Sequence, residues 1–252
     1  MVISMVKKKW IPVAIAATAS GAFAGPNVDP KADELLHKMS NELATMKAFS
    51  VETKQVMEVV TKEGEMLQGI AESTVHLQRP NKLVTDRVGP MGGGKVYYDG
   101  KTLTVFGKRD NMYATSPAPP TLDAAIDFAR DKLSIDAPAA DLLNSNPYAV
   151  LTDDVVSGRY VGEEPIGDRM CHHLAYRGNE TDFQIWVEDG PHALPCRFVI
   201  TSKKVQGSPT YQVSLSDWKP ENLAPDAFTF TPPPDATKIS FVTLGEQKKG
   251  KR

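Results

Sequence analysis

CHHLAYRGNETDFQIWVEDG (171–190) sets a cysteine beside two histidines at the start of two β-rich runs that flank a Gly-Asn-Glu-Thr turn. With the turn centred on 178–181, antiparallel pairing places Met170, His172, Leu174 and Tyr176 on one face, where Val187, Ile185 and Phe183 of the second run meet them. That face is apolar. The opposite face pairs Arg177 with Asp182, His173 with Trp186 and Cys171 with Glu188, a polar or half-exposed surface. Adjacent strand residues point to opposite faces, so His172 and His173 do not converge on one metal ion. The stretch therefore predicts a sheet hairpin, with His172 semi-buried on the core face and His173 stacked beside Trp186.

Cys196 falls on the next strand, one whole strand away from Cys171 in a meander. Two strand spacings are roughly 10 Å, beyond the Cα separation of about 7 Å that a disulfide tolerates. No bridge between the two cysteines is expected.

Working outward, Val155, Arg169, Asp182, Cys196 and Thr210 each open a strand of the last third, and turn residues separate them. Upstream, KVYYDGKTLTVFGKRDNMYAT (95–115) holds Asp99-Gly100 between two β-rich runs and Arg109-Asp110-Asn111 at the next reversal, which predicts three more strands. Strands over 49–60, 66–77 and 82–88 precede it, and FTFTPPPDATKISF (228–241) reads as half strand, half proline-stiffened tail. Leu35, Leu36, Met39, Leu43 and Met46 recur at helical spacing after Asp29-Pro30, predicting an amphipathic helix over 30–46. Thr121 can cap a second helix whose apolar face is Leu122, Ala125, Ile126, Ala129 and Leu133. DAPAADLLNSNPY (136–148) predicts a short helix that ends before Pro147. The pattern is α+β: about eleven antiparallel strands in one curved sheet with helices on its concave face.

Export is written at the start of the chain. Lys7, Lys8 and Lys9 precede the apolar run WIPVAIAATASGAFA (10–24), too short to span a bilayer and ending in Ala22-Phe23-Ala24. A signal peptide over 1–24, cleaved near Ala24/Gly25, is expected, followed by one domain over 25–244 and a basic tail over 245–252. Without 1–24 the chain carries 26 basic and 31 acidic side chains, which disfavours nucleic acid as a partner. No later segment is apolar enough to cross a membrane, and two cysteines are too few for a disulfide scaffold.

Catalytic signatures are thin. There is no Gly-x-Ser-x-Gly elbow, and GPMGGG (89–94) lacks the lysine and following helix of a phosphate loop, so it reads as a surface loop. Cys171, His173 and Glu188 are the only grouping that could be imagined around a metal. No catalytic residue, metal or cofactor is expected.

YYDGKTLTVF (97–106), YATSPAPPTLDAAIDFARDKL (113–133), ADLLNSNPYAVL (140–151), SGRYVGEE (157–164), CHHLAYR with DFQIWVEDG, LPCRFVITSK (194–203) and YQVSLSDW (211–218) together resemble an uncharacterised family of predicted periplasmic proteins. That family, a domain of unknown function, is related in fold to the lipoprotein carriers LolA and LolB and to the regulator RseB. The resemblance implies a LolA-like, half-open antiparallel β-barrel of about eleven strands whose helices cover an apolar cavity. It implies a soluble carrier of a hydrophobic small molecule, a lipid or the acyl chains of a lipoprotein, with 122–133 as lid. Family members commonly carry a basic residue where Cys196 stands, which adds to the expectation that the cysteines stay apart. Leu122, Ile126, Leu133, Leu174, Tyr176, Phe183 and Ile185 are the expected cavity lining. The alternative is an envelope sensor that binds a protein partner through exposed aromatics such as Trp186 and Trp218, with the barrel as packed core.

Overall fold

A computed structural model describes residues 27–89, 93–135 and 137–241. The expected signal peptide, part of the glycine-rich loop and the basic tail lie outside the described residues. Chain order is β1 (Asn27–Val28), α1 (Pro30–Thr45), β2 (Ala48–Val60), β3 (Met66–Gln78), β4 (Lys82–Val88), β5 (Gly94–Tyr98), β6 (Thr102–Gly107), β7 (Met112–Pro117), α2 (Leu122–Leu133), α3 (Pro147–Thr152), β8 (Val155–Ile166), β9 (Arg169–Gly178), β10 (Thr181–Glu188), β11 (Pro195–Ser202), β12 (Thr210–Pro220) and β13 (Thr237–Lys238). All described strands form one sheet in the order β1-β8-β9-β10-β11-β12-β2-β3-β4-β5-β6-β7-β13. Two antiparallel meanders meet where β12 pairs with β2, and the two-residue strands β1 and β13 add in parallel at the far edges. The edges do not pair with each other, so the sheet is an open half-barrel.

The hairpin register follows the alternation of the sequence: His172, Leu174 and Tyr176 lie opposite Val187, Ile185 and Phe183. Asp99-Gly100 makes the β5–β6 turn. Gly100 sits at φ +87°, in the left-handed region, and the Asp99 carboxylate accepts from the backbone N–H groups of Lys101 and Thr102.

α1 begins as its sequence dictates, with Asp29 accepting from the N–H of Lys31 and Pro30 in the first turn. Its inner stripe, Leu36, Met39 and Leu43, is wholly buried, and each such side chain stabilises by about 1.5–3 kcal/mol. Beneath it the Tyr176 hydroxyl donates to Ala32 O at 2.9 Å, tying the helix to β9. Beyond α2 the helix expected to stop before Pro147 is instead a 3-10 turn, Ala140–Leu143, and Pro147 opens α3. Proline at the first helical position sacrifices no hydrogen bond, and Asn146 caps the turn through the N–H of Ala149. In 228–241 the strand part is the two-residue β13, which joins β7, while Phe228 ends a 3-10 turn and Phe230 packs on Tyr97, Phe106 and Tyr113.

The cysteines depart from expectation. Cys171 and Cys196 form a disulfide, with a Cα separation of 6.9 Å. The physical reason is a bulge: Trp186 pairs with Arg197 but Val187 pairs with Pro195, leaving Cys196 as the extra residue of β11. Regular alternation would turn Cys196 inward with Phe198. The bulge breaks that alternation and lets Cys196 share the outer face with Cys171. Both are fully buried there in a small cluster with Trp186 and Val199.

Outside this cluster His173 stacks on Trp186 with ring centroids 4.0 Å apart, and Glu164 receives the Trp186 indole N–H at 2.8 Å and contacts His173 at 3.0 Å. The Trp186 bond, and then that of His173, hold the Glu164 carboxyl below the usual carboxylate range. A depressed folded pKa contributes stability above the unfolded value of about 4.3 and loses it as pH falls through the folded value. Glu164→Gln should therefore melt below the parent at pH 7, and the gap should narrow as pH drops below about 4. Melting curves that differ by a constant amount from pH 7 to 3 would refute this assignment.

Candidate functional site

Helices cover the concave face unevenly. α1 packs over β8 to β10, while Ala129 and Leu133 of α2 pack with Leu103 of β6. Between α2 and the sheet lies a cavity of about 390 Å³. Its floor is Val51, Thr53, Gln55 and Met57 of β2, Ser73 and Val75 of β3, Leu83, Thr85 and Arg87 of β4, with Val96, Tyr98 and Leu103 on one side and Tyr211, Val213, Leu215 and Trp218 on the other. Its roof is Leu122, Ala125, Ile126 and Ala129 of α2, with Ile135, residues 137–140, Leu142 and Leu143 of the connector.

Alternation builds this floor. Cross-strand rows such as Val51–Val75–Thr85–Val96 place inward residues of four strands at one level. One end is closed by the buried Phe49, Leu77 and Leu142. Exposure rises along β2 from Val51 at 2% and Thr53 at 9% to the half-buried Gln55 and Met57, so the cavity opens toward the β2–β3 turn. Beyond this opening Met66, Leu67 and Ile70 stand exposed.

The roof is held by polar clamps. Arg79 donates to Leu143 O at 2.9 Å, Asn144 O at 3.1 Å and Leu43 O at 3.3 Å, joining the connector to the end of α1. Arg130 pairs with Asp141 at 2.8 Å, and the Asp123 carboxylate accepts from the N–H and hydroxyl of Ser145. Tyr98 donates to Pro119 O at 2.6 Å; burial, with Asp99 nearby, pushes its phenol up to about 12, so it stays a neutral donor.

Of the residues named from sequence, Leu122 and Ile126 line the cavity. Leu133 packs with Leu103 and Ala129 in a neighbouring cluster. Leu174, Tyr176, Phe183 and Ile185 sit in the core cluster that includes the buried stripe of α1. Trp186 is buried at 7% exposure and Trp218 half-buried against Phe49, 5.2 Å between rings, so neither is the exposed aromatic expected of a docking surface. Cys171 is held in the disulfide, and no group of three or more metal-ligating side chains occurs among the described residues. Sequence reading missed Thr53, Gln55, Ser73 and Arg87. Their signal is the occurrence of polar residues in the same alternation phase as Val51, Met57, Val75 and Leu83.

The described residues thus form an open antiparallel half-barrel with a helical roof over an apolar cavity. The chain belongs to the family described as "Predicted periplasmic protein (DUF2092)", whose model matches residues 32–242. The protein is periplasmic, and a disulfide persists in that oxidising compartment. Among the described residues no helix is long and apolar enough to cross a membrane. Among proteins of curated function none matches the chain. Similar solved structures include an uncharacterized conserved protein from Thermus thermophilus, with 15% identity over 83% of this chain and 99% of that one at a TM-score of 0.49. LprF from Mycobacterium bovis shows 15% identity over 77% and 97% at 0.47. The LolA superfamily protein NE2245 from Nitrosomonas europaea shows 14% identity over 79% and 97% at 0.42.

Proposed function

We propose that the protein binds or carries a hydrophobic ligand, a lipid or an acyl chain, in the cavity between α2 and the β12–β2–β3–β4 floor. The observation that carries this reading is the 390 Å³ of space beneath a roof of alanines and aliphatic side chains. Protein interiors are close-packed, and few voids exceed a water molecule, whereas small-molecule sites occupy about 300–1,000 Å³. Each methylene moved from water to such walls stabilises the complex by about 0.8 kcal/mol. Hydrogen bonds and the Arg130–Asp141 pair pin the roof alongside the apolar packing of Leu122, Ile126 and Leu142.

Gentle extraction of protein purified from periplasm, followed by lipid mass spectrometry, tests the reading directly. Stoichiometric lipid is expected, and a lipid-free protein that also takes up no added acyl chain would sink it. Ala125→Trp should fill the cavity from α2: the co-purifying lipid is expected to fall at least about tenfold, with overpacking costing about 1–3 kcal/mol of stability. Undiminished lipid in this variant would place the ligand elsewhere. The alternative of a protein partner has one specific support, the exposed Met66, Leu67 and Ile70 at the β2–β3 end. A pull-down that retains an envelope protein on lipid-free material, lost in Leu67→Ser with Ile70→Ser, would favour it.

A further inference from the structure

The cavity floor holds something its apolar walls do not require. Thr53 pairs with Ser73, and Ser73 with Arg87, so three polar side chains stand in one row across β2, β3 and β4. Gln55, the next inward residue of β2, completes a network. Its amide donates to Thr53 Oγ1 at 3.1 Å and Ser73 Oγ at 3.0 Å, and Arg87 Nε donates to its carbonyl oxygen at 3.5 Å. Thr53 and Ser73 are 9% and 6% exposed. Arg87 is the single charged residue among the described lining.

Polar groups held away from water cost stability unless bonded, and a well-packed apolar floor would serve a core at least as well. A ligand head group gives the row a use. We infer that the cavity takes a single-chain amphiphile with an anionic head, the head at Arg87 and Ser73 beside Thr53, whose hydroxyl is committed to Ser73 O at 3.2 Å, and the chain running toward Leu83, Leu122 and Ile126. This rests on the binding function proposed above and specifies its ligand class.

Placement supports it in three ways. Leu83 and Arg87 lie four residues apart on one strand, about 13 Å, so the apolar and charged ends are separated along the cavity as the tail and head of an amphiphile are. The charged row lies toward the opening, where burial along β2 gives way, and the chain end is closed. Gly94 faces Arg87 from β5 and brings no side chain against it. The volume, near the lower end for small-molecule sites, suits one chain better than two. Arginine offers a planar fork of donors that matches carboxylate and phosphate alike.

Delipidated protein should be titrated calorimetrically with dodecanoate, dodecyl phosphate and dodecanol, which share a chain and differ in the head. Both anions are expected to bind at least about tenfold tighter than the alcohol, and the tighter of the two names the head group. In Arg87→Gln the advantage of the anions should collapse while dodecanol affinity stays within about twofold. Equal binding of all three to the parent protein overturns the inference and leaves the cavity reading standing. An equal loss of all three in Arg87→Gln, with an unchanged melting temperature, also overturns it, because the guanidinium would then only shape the cavity. Failure of every ligand to bind the parent, together with lipid-free extracts, removes the binding function itself. The parent's preference among the three heads is decisive even where Arg87→Gln does not fold.

Discussion

A Cys171→Ala/Cys196→Ala variant should melt about 7–14 °C below the parent protein. The two cysteines are 25 residues apart in sequence. Closing a loop of that length removes unfolded-state entropy worth about 3.5 kcal/mol at 25 °C, and 1 kcal/mol moves the melting temperature of a domain this size by about 2–4 °C. Alanine is the appropriate replacement because both positions are fully buried beside Trp186 and Val199, where a serine hydroxyl would need a partner. The bridge lies on the outer face of the sheet, so acyl-chain affinity of the folded variant should stay within about twofold. Thermal melts with and without reductant provide the check. A parent that melts at the same temperature in reductant, once alkylation has shown both thiols free, would show that the bridge contributes nothing to stability.

Arg79→Met should cost about 3 kcal/mol and loosen the cavity roof. The guanidinium bonds the carbonyls of Leu43, Leu143 and Asn144, which lie at the end of α1 and in the connector. Burial pulls its pKa down and the nearby Asp123 pushes back. A hydrogen bond to a charged donor contributes about 1.5–3 kcal/mol, and a carbonyl left without its partner away from water adds about 1–3 kcal/mol. One bond lost and one carbonyl orphaned sum to about 2.5–6 kcal/mol, and water reaching the other part-buried carbonyls holds the total near the lower end of that range. Lysine has one donor centre in place of a fork, so Arg79→Lys should recover less than half of the loss. Urea melts give the total, and hydrogen exchange over 137–146 gives its location. Exchange that speeds up uniformly along the chain, with no excess in the connector, would mean that Arg79 supports the whole fold and not the roof.

These two groups mark the limit of what local pattern reveals. Leu174 facing Ile185 and Asp99-Gly100 turning a hairpin are legible in the chain because strand period and turn chemistry act within a dozen residues. The same holds for Asp29 and Thr121 as caps, since each bonds a neighbour two or three positions on. Cys196 departs from its local pattern because its direction depends on a bulge, and one extra residue in β11 reverses the inward and outward phases. Pro147 departs from it because proline is compatible with both the end of one helix and the start of the next.

The candidate site divides along the same line. Strand alternation specifies that Leu174, Tyr176, Phe183 and Ile185 point inward, and helical spacing does the same for Leu122 and Ile126. Whether an inward residue meets another side chain or open space depends on where α1 and α2 come to rest. That placement follows from contacts between segments far apart in the chain, such as Tyr176 with Ala32 and Arg79 with Leu143. Alternation turns Thr53, Ser73 and Arg87 inward one by one, but only strand pairing across 34 residues brings them side by side as a row. Local periodicity thus carries the sheet, its faces and its hairpins, because those are set by torsions and hydrogen bonds between near neighbours. The cavity, the bridge and the charged row come from long-range pairing and helix docking, whose geometry no short window of sequence contains.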